Sequence, residues 1–421
     1  MPPFKSPVIV INVALLFAAA SAAPLNVVMI GVDGCHPDWV TEAHTPNLVR
    51  LANQGIMGHM TPVFPTLTFP SQFSIVTGLY PDHHGIVANE FYDPKEHASW
   101  TYRNDNLAAE PRWWSGVPIW AVAKTQGLPT AVANWPTSRV QFQGTFPDHF
   151  VETFTPKYSA EQAARDTLRW IDQMREEKPD KPFLALMYID EVDRVGHRPG
   201  PKSNEMAAVL ERIDGVIGEV VQALEKRSLM DTTAILVVSD HGMTQLSDQR
   251  RAELGDLVDM ALIERHFEYV SMVQIWPKDG CLEDVYRQLK AKQTDSTFRV
   301  YLKQDLPDRL RYKVNRRIAP IVVMSAPGFS ILVPGVLKKW GGSVNEYGAH
   351  GYDNAYPEMT SLFIARIPGS KRAWMSNSHT DRQARLMPFD SVHVHNLLAR
   401  LLGVAPAQPN DGTSALIDQV L

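Results

Sequence analysis

The amino-acid sequence predicts an α/β fold built on a mainly parallel sheet, and three observations support that prediction. Several short runs are continuously apolar and rich in Val, Ile and Leu, as in strands buried on both faces of a parallel sheet. Segments with helical periodicity separate these runs, which is the alternation typical of βα units. Acidic residues directly follow three of the runs, at the strand ends where open α/β sheets bind ligands.

The first strand is predicted in "LNVVMIGVDG", where an apolar run ends in a polar turn. A short helix follows in "TPNLVRLANQG", closed by Gly55. A second helix is predicted from Phe69 to Leu79, with Pro70 in its first turn. "GVPIWAVAKTQG" then predicts a helix, and "LPTAVANWP" predicts the strand that leaves it.

Long helices are predicted from Ser159 to Glu176 and from Asn204 to Arg227. The buried strands "FLALMYID" and "TAILVVSDHG" accompany them, and each ends in acid. Residues 261–340 differ, because they combine the amphipathic segment "EDVYRQLKAK", the basic stretch "RLRYKVNRR" and the strand-like runs "PIVVMS" and "FSILVP". We expect residues 24–421 to form a single catalytic domain, with residues 261–340 as a small inserted α/β subdomain.

Bulk composition narrows the function classes. The chain has 421 residues, 44% of them hydrophobic, and a formal net charge of −5. This charge provides no basic field of the kind that binds a nucleic acid polymer, whereas a small anionic substrate is compatible with a bound metal ion. The two cysteines, Cys35 and Cys281, exclude a disulfide-rich scaffold and leave a single bridge open.

The N-terminal segment predicts a signal peptide over residues 1–23. Lys5 precedes an apolar run from Val8 to Ala20, and small residues follow as far as Ala23. This pattern predicts a secreted or periplasmic protein with no stable membrane insertion after cleavage. An uncleaved membrane anchor is the alternative, although the run is shorter than the roughly 20 residues that a spanning helix needs.

Aspartates and histidines at strand ends form a candidate metal centre. They occur in "GVDG", "EVDRVGH", "SDHG" and "GAHGYDN", and this mixture without thiolates suits zinc or manganese better than calcium. Six ligands exceed one tetrahedral catalytic site, so we expect two ions roughly 3.5–4 Å apart, an arrangement used for displacement at phosphorus. The six residues are Asp33, Asp193, His197, Asp240, His241 and His350.

Each of these motifs taken alone has a simpler interpretation. An aspartate after a strand is commonly a helix cap or a turn residue, and an Asp-His pair is commonly a polar loop. An Asp-x-x-x-His pair on a helix is commonly a surface pair. The joint pattern favours a metal centre, because independent loops would seldom share position, neighbouring glycines and ligand chemistry.

The chain resembles the nucleotide pyrophosphatase/phosphodiesterase family, the type I phosphodiesterases of the alkaline phosphatase superfamily. The resemblance rests on eight motifs in fixed order, which are distributed over nearly the whole of residues 24–421. It implies an alkaline-phosphatase-like three-layer sandwich. The motifs are "VDG", "FPTLTFPSQFSIVTGLYPDHHGIVAN", "WPTSRVQFQGTFPDHF", "DEVDRVGH", "SDHGM", "YLKQDLPDRLRY", "HGYDN" and "VHVHNLLARLLGVAPAQPNDGT".

The resemblance implies a role for individual residues. Thr68 would be the nucleophile, and Asn89 would hold a phosphoryl oxygen. Phe69 and Phe150 would contact the substrate, the latter by stacking on a nucleobase. Two Zn²⁺ ions are implied, with Mn²⁺ as an alternative. One ion would be held by Asp193, His197 and His350, and the other by Asp33, Asp240 and His241 with Thr68 touching it.

The implied activity is hydrolysis of nucleotide phosphodiester or pyrophosphate bonds through a phosphothreonine, with release of a nucleoside 5′-monophosphate. A phospholipid or choline-phosphodiester substrate is the alternative, since the aromatic residues Phe91, Tyr92 and Trp113 could serve a lipid as well as a base. Phosphomonoester hydrolysis and a non-catalytic binding protein are further alternatives. A sulfatase is set aside because "CHPDW" places Trp39 where that motif requires arginine.

The remaining hydroxyls near Thr68 are given structural roles. Thr66 is interpreted as a turn residue, and Ser71 as a cap for backbone amides in the first turn of the helix. Ser74 and Thr77 are expected to face the helix packing.

Overall fold

The computed structural model describes residues 23–152, 158–370 and 386–421. An eight-stranded sheet forms its centre, with helices packed on both faces. Residues 1–22 of the predicted signal peptide lie outside the described ranges. Among the helices of the described ranges, none is both long enough and apolar enough to cross a bilayer.

The strands and helices are numbered in chain order. The strands are β1 (Asn26–Val32), β2 (Ile56–Thr61), β3 (Glu90–Asp93), β4 (Ala98–Thr101), β5 (Thr130–Ala133), β6 (His149–Phe150), β7 (Leu184–Ile189), β8 (Thr233–Val238), β9 (Thr244–Gln245), β10 (Arg251–Glu253), β11 (Ile263–Glu268), β12 (Met272–Pro277), β13 (Phe298–Leu302), β14 (Ile321–Ser325), β15 (Ser330–Leu332), β16 (Gly348–Ala349), β17 (Ser361–Arg366) and β18 (Phe389–Asp390). The helices are α1 (Pro46–Asn53), α2 (Thr68–Thr77), α3 (Pro81–His84), α4 (Asp105–Ala108), α5 (Ile119–Thr125), α6 (Ala160–Glu177), α7 (Glu191–His197), α8 (Asn204–Lys226), α9 (Leu254–Leu257), α10 (Leu282–Lys292), α11 (Val336–Lys339), α12 (His393–Leu402) and α13 (Ala415–Val420).

The central sheet has the strand order β18-β2-β17-β8-β1-β7-β5-β6. Strands β8, β1, β7, β5 and β6 run parallel, while β17 is antiparallel to both of its neighbours. Strands β7 and β8 are buried along their whole length, as the continuous apolar runs predicted. Because β8, β1 and β7 are adjacent, the residues that follow them meet at one edge of the sheet.

Helices on both faces of the sheet make the fold a three-layer sandwich, as predicted. Helices α1, α6 and α8 cover one face, and α2, α5 and α12 cover the other. Helix α2 begins one residue before the predicted start and ends at Gly78, whose φ of +71° suits glycine. Helix α6 begins with a capping box in which the Ser159 hydroxyl accepts the Gln162 N–H and the Gln162 side chain accepts the Ser159 N–H.

A second, smaller sheet lies in residues 263–325, which we call the small lobe. Its antiparallel strand order is β11-β12-β14-β13, and Val285 and Leu289 of α10 are buried against it. The predicted inserted subdomain, residues 261–340, contains this sheet, and its independence as a folding unit stays a prediction.

Candidate active site

The elements that end at one edge of the central sheet bring all six predicted ligands together. Asp33 directly follows β1, and Asp240 lies two residues beyond the neighbouring strand β8. Asp193 and His197 are one turn apart on α7, which begins just after β7. His350 directly follows the short strand β16.

Asp33, Asp240 and His241 form what we call the inner group. The Nε2 atom of His241 lies 3.3 Å from Oδ1 of Asp33 and 3.4 Å from Oδ2 of Asp240. The three side chains are 2%, 0% and 0% exposed, respectively. The inner group is therefore almost completely removed from solvent.

Asp193, His197 and His350 form the outer group. The Nε2 atoms of the two histidines are 3.1 Å apart, and each lies 3.5 or 3.6 Å from a carboxylate oxygen of Asp193. The His197 side chain is 45% exposed, whereas that of His350 is 5% exposed. The two groups are in contact, since the rings of His241 and His350 stack with their centroids 3.5 Å apart.

The ligand atoms also cluster across the boundary between the two groups. One set of potential ligand atoms within 4.8 Å of one another comes from Asp193, His197 and His350, and a second comes from Asp33, Asp193 and His241. Asp193 thus lies between the two sets. Asp240 adjoins the second set through its distance to His241.

Backbone carbonyls fix the orientation of all three imidazole rings. Because a carbonyl oxygen only accepts hydrogen bonds, the Nδ1 atom facing it must carry the proton, and Nε2 is left with its lone pair. Partners of this kind commonly orient metal-binding histidines. The three Nδ1 donors are those of His197, to Gly348 at 3.0 Å, His241, to Gly242 at 3.0 Å, and His350, to Thr66 at 2.8 Å.

Hydrogen bonds also orient two of the carboxylates. Oδ2 of Asp33 accepts the Tyr188 hydroxyl, while Oδ1 of Asp240 accepts the N–H groups of Gly34 and His241. Buried oxygens with no hydrogen-bond partner in the described part of the chain remain on Asp33 (Oδ1), Asp193 (Oδ1) and Asp240 (Oδ2). Buried oxygens without partners are costly, so their convergence fits a bound cation.

The pKa shifts within the cluster also favour a bound cation. Burial, reinforced by the charges of Asp240 and Asp193, raises the pKa of Asp33 well above its ordinary value. Burial also raises the pKa of Asp240, and together with the neighbouring His241 and His197 it lowers the pKa of His350. Divalent cations would relieve the repulsion among the carboxylates and use the neutral imidazoles as ligands.

Thr68 and Asn89 lie beside the inner group. Thr68 is the first residue of α2, and its Oγ1 is 3.4 Å from Nε2 of His241. Oδ1 of Asn89 accepts the backbone N–H of Phe69 at 3.0 Å, which leaves the Asn89 amide group to donate. The predicted nucleophile thus lies at the N-terminus of α2, and the predicted phosphoryl-oxygen donor is hydrogen-bonded to the same terminus.

Phe69 and Phe150 occupy different surroundings. Phe69 is 5% exposed, and its ring contacts Trp100 and Tyr102 at centroid distances of 5.6 and 5.0 Å. Phe150 lies in the edge strand β6 and stacks on Phe146 at 5.3 Å. Both rings therefore pack against other aromatic side chains, and their roles in substrate binding stay predictions.

A cavity of about 690 Å³ reaches the outer group and Asn89. Most of its walls could not be predicted from the sequence, because they come from separate segments with no motif in common. The contact of Tyr188 with Asp33 could not be predicted either, because the position of Tyr188 in "FLALMYID" gives no hint of it. Apart from histidines, the aromatic and acidic lining residues are Glu90, Tyr102, Phe267, Glu268, Tyr269, Trp340 and Tyr347.

The other hydroxyls near Thr68 are structural. The Thr66 hydroxyl donates to the Tyr352 carbonyl and accepts the Gly351 N–H. Ser74 hydrogen-bonds with His84, and Thr77 donates to the carbonyl four residues earlier. The capping role predicted for Ser71 is wrong, because its hydroxyl is buried without a hydrogen-bond partner in the described residues.

The fold and the strand-end residues define an α/β protein with a candidate metal centre at one edge of its central sheet. The chain matches the family model described as Type I phosphodiesterase / nucleotide pyrophosphatase over residues 27–353, and it belongs to that family. The family resemblance found in the sequence is thereby confirmed.

Curated relatives agree with this placement. An uncharacterized pyrophosphatase/phosphodiesterase of Schizosaccharomyces pombe is 33% identical over 92% of this chain and 79% of its own length. Ectonucleotide pyrophosphatase/phosphodiesterase family member 1 of Homo sapiens is 33% identical over 86% of this chain, which spans only 38% of that protein. Bis(5'-adenosyl)-triphosphatase ENPP4 of Homo sapiens is 31% identical over 94% of this chain and 82% of its own length.

Solved structures agree as well. Murine ectonucleotide pyrophosphatase/phosphodiesterase 5, solved as an inactive threonine-to-alanine variant in complex with AMP, superposes with a TM-score of 0.80 at 28% identity. The match covers 94% of this chain and 100% of the murine one. The human counterpart gives the same TM-score at 29% identity.

Proposed function

We propose that the protein is an exported two-zinc phosphodiesterase/nucleotide pyrophosphatase that releases nucleoside 5′-monophosphates through a phosphothreonine. The observation that carries the proposal is the convergence of three oriented Nε2 atoms and three carboxylate oxygens beside the Thr68 hydroxyl. Membership of the phosphodiesterase family supplies the reaction class.

The donor set fits two zinc ions. One ion would be held by Asp193, His197 and His350, and the other by Asp33, Asp240 and His241 with Thr68 beside it. Asp and His without Cys are common zinc ligands at catalytic sites, and Mn²⁺ remains an alternative. When bound, such ions lower the pKa of a neighbouring hydroxyl and neutralise phosphoryl charge.

Thr68 would perform the first displacement. Its Oγ1 forms a bond to phosphorus while the bond from phosphorus to the leaving oxygen breaks, and the leaving group takes up a proton. Water then attacks the phosphothreonine and restores the hydroxyl, which releases the monophosphate. Asn89 would donate its amide to a non-bridging oxygen as negative charge develops there.

A nucleotide is the favoured substrate. One relative is named as a bis(5'-adenosyl)-triphosphatase, and a structural neighbour was solved with AMP. The cavity beside Asn89 and the outer group has room for a nucleoside next to the phosphoryl position.

A choline phosphodiester is the second candidate. The carboxylates of Glu90 and Glu268 and the surrounding aromatic rings provide chemistry that suits a quaternary ammonium group. Of the aromatic residues first considered for this role, Phe91 and Trp113 are fully buried and do not support it, whereas Tyr92 is partly exposed.

Two measurements on the wild-type protein test the proposal. Metal analysis of the purified protein should find two zinc ions per chain. Initial rates on p-nitrophenyl thymidine phosphate should exceed those on p-nitrophenyl phosphocholine at equal concentration. The reverse preference would establish the choline alternative, and bound metal with no turnover of either ester would establish a binding protein.

Export is tested separately. We expect the protein to be found outside the cytoplasm, with an N-terminus close to Pro24. N-terminal sequencing of the mature chain checks this, and retention of Met1 in a membrane fraction would support the anchor instead.

A further inference from the structure

The segment that carries Asn89 is fastened to the small lobe through its backbone carbonyls. Residues 85–90, which we call the Asn89 loop, connect α3 to β3 and include Glu90, the first residue of β3. Three of the loop's carbonyl oxygens accept hydrogen bonds from small-lobe side chains. The pairs are Arg317 Nη1 with Gly85 at 2.7 Å, Tyr312 Oη with Val87 at 2.7 Å, and Tyr269 Oη with Glu90.

Carboxylates on either side of the loop reinforce this attachment. The carboxylate of Asp82, just before the loop, accepts the backbone N–H groups of residues 313–315 at 2.8–2.9 Å. The carboxylate of Asp93, at the end of β3, accepts hydrogen bonds from Arg316 and Arg317 at 2.7–2.8 Å. The chain is therefore tied to the small lobe before, within and after the loop.

The contacts of Tyr312 and Arg317 with the loop are buried, so water cannot readily replace them. Tyr312 and Arg317 are 1% and 4% exposed, and the Asp93 side chain is inaccessible. The Tyr312 hydroxyl also accepts the side-chain N–H of Gln274 at 3.1 Å, which directs its own proton toward Val87. A buried carbonyl that lost its donor would be left unpaired, and the loop would move to find another.

The glycine in the loop is explained by the same contact. Gly85 has a φ of +80°, and a Cβ atom there would lie 2.8 Å from Nη1 of Arg317. Only glycine allows both the backbone conformation and the close approach of the guanidinium.

We propose that Tyr312 and Arg317 are positioning residues that hold Asn89 in place for the phosphoryl oxygen. Asn89 lies between two of the fastened carbonyls, and its own Oδ1 is bonded to the N-terminus of α2. This inference rests on the role that the proposed function gives to Asn89. The small lobe thus contributes to catalysis without contacting the reacting atoms, since a misplacement of about 1 Å can cost about 100-fold in rate.

A double-mutant cycle tests the proposal with Tyr312→Phe, which removes one hydroxyl and keeps the ring. We expect kcat for a nucleotide diester to fall about 10-fold in the presence of Asn89, with a smaller change in KM. In the Asn89→Ala background the same substitution should change kcat by less than about 2-fold. Equal losses in both backgrounds, or no loss in the first, would overturn the proposal.

Tyr352→Phe is the matched control. Tyr352 is also 1% exposed, and its hydroxyl also donates to a backbone carbonyl, that of Phe329, outside the Asn89 loop. We expect a comparable loss of stability in urea, and any change in kcat should be the same in the wild-type and Asn89→Ala backgrounds. Arg317→Lys provides a second test, because lysine keeps the charge but cannot reproduce the four hydrogen bonds that the Arg317 guanidinium donates.

Hydrogen exchange separates this inference from the proposed function. Tyr312→Phe and Arg317→Lys should each accelerate amide exchange in residues 85–90, whereas Tyr352→Phe should not. Faster exchange in a protein that hydrolyses no diester would uphold the attachment of the loop and refute the proposed function. Unchanged exchange in both variants would refute the positioning role, whatever the activity.

Discussion

The inner and outer groups of the candidate centre use the same ligand types in different surroundings. The inner residues Asp33, Asp240 and His241 follow adjacent strands and are nearly inaccessible. The outer group combines a helix with a loop after a two-residue strand, and its His197 is 45% exposed. The rigid sheet thus supports one half of the centre, and less regular structure supports the other.

This difference suggests a division of labour between the two groups. A buried set of ligands on a rigid sheet would preorganise an ion beside the hydroxyl of Thr68, the proposed nucleophile. The outer set opens to the cavity of about 690 Å³ and lies where substrate and water can enter. We expect substitutions in the inner group to be more damaging and less easily rescued than those in the outer group.

The largest effect is expected for Thr68→Ala, which removes the proposed nucleophile and leaves both groups intact. We expect turnover of a nucleotide diester to fall at least about 1,000-fold, since a water molecule would have to replace the positioned hydroxyl. Metal analysis should still find two ions per chain. Substantial residual turnover with burst kinetics would contradict the assignment of Thr68.

The second prediction compares His241→Ala with His197→Ala. His241→Ala leaves two buried carboxylates facing each other. We therefore expect the variant to lose the inner ion and its turnover to fall at least about 100-fold, and added zinc should not restore the activity. His197→Ala should reduce turnover about 10- to 100-fold and recover with added zinc, because water can take the place of an exposed ligand. Titration of activity against free zinc measures both.

His83→Ala is the control for this pair. His83 is more than half exposed and hydrogen-bonds to Asp411, away from the centre. We expect no change in zinc dependence. Equal rescue of His241→Ala and His197→Ala would remove the proposed distinction between the groups.

Tyr188→Phe tests the inner group more finely. The Tyr188 hydroxyl donates to Oδ2 of Asp33, so its loss should free that carboxylate to rotate. We expect the affinity of the inner ion to fall about 10- to 100-fold, as is typical when an outer partner of a ligand is removed. Competition with a chromogenic chelator measures this, and Tyr352→Phe should leave the affinity unchanged.

Local sequence patterns were sufficient to predict the central fold and the six residues of the centre. Asp33 and Asp240 follow strands whose apolar character is visible in the sequence, and a parallel sheet brings such ends together. The Asp193–His197 spacing is likewise a property of one helix turn. His350 has the weakest local signal of the six, because it lies in a glycine-rich loop and not at the end of a predicted strand.

The surroundings of the site could not be predicted, because they depend on contacts between distant segments. The contact of Tyr102 with Phe69 and that of Tyr188 with Asp33 join residues 33 and 155 positions apart, respectively. In the basic stretch "RLRYKVNRR", the sequence alone does not distinguish exposed from buried arginines. Arg317 within that stretch is buried against Asp93, a pairing that no local pattern reveals.

The smallest effect is expected for Thr66→Val, which tests the support of the outer group. The Thr66 hydroxyl makes two buried hydrogen bonds with the backbone of residues 351 and 352, and its carbonyl accepts the Nδ1 proton of His350. Valine keeps the shape and removes the hydroxyl, so we expect a loss of about 1–3 kcal/mol in the free energy of unfolding. The loop should shift slightly, and the affinity for the outer ion should fall by about 2- to 5-fold.

Thr77→Val is the control that separates the local effect of the Thr66 hydroxyl on the outer group from a general loss of stability. The Thr77 hydroxyl is equally buried and donates within α2 to the Phe73 carbonyl. We expect a similar loss of stability in urea with no change in the affinity of the outer ion. If both variants weakened that ion equally, global stability rather than the Thr66–His350 contact would govern the outer group. A weaker outer ion in Thr66→Val alone would show that its ligands depend on a single loop contact, unlike those set at the ends of the strands.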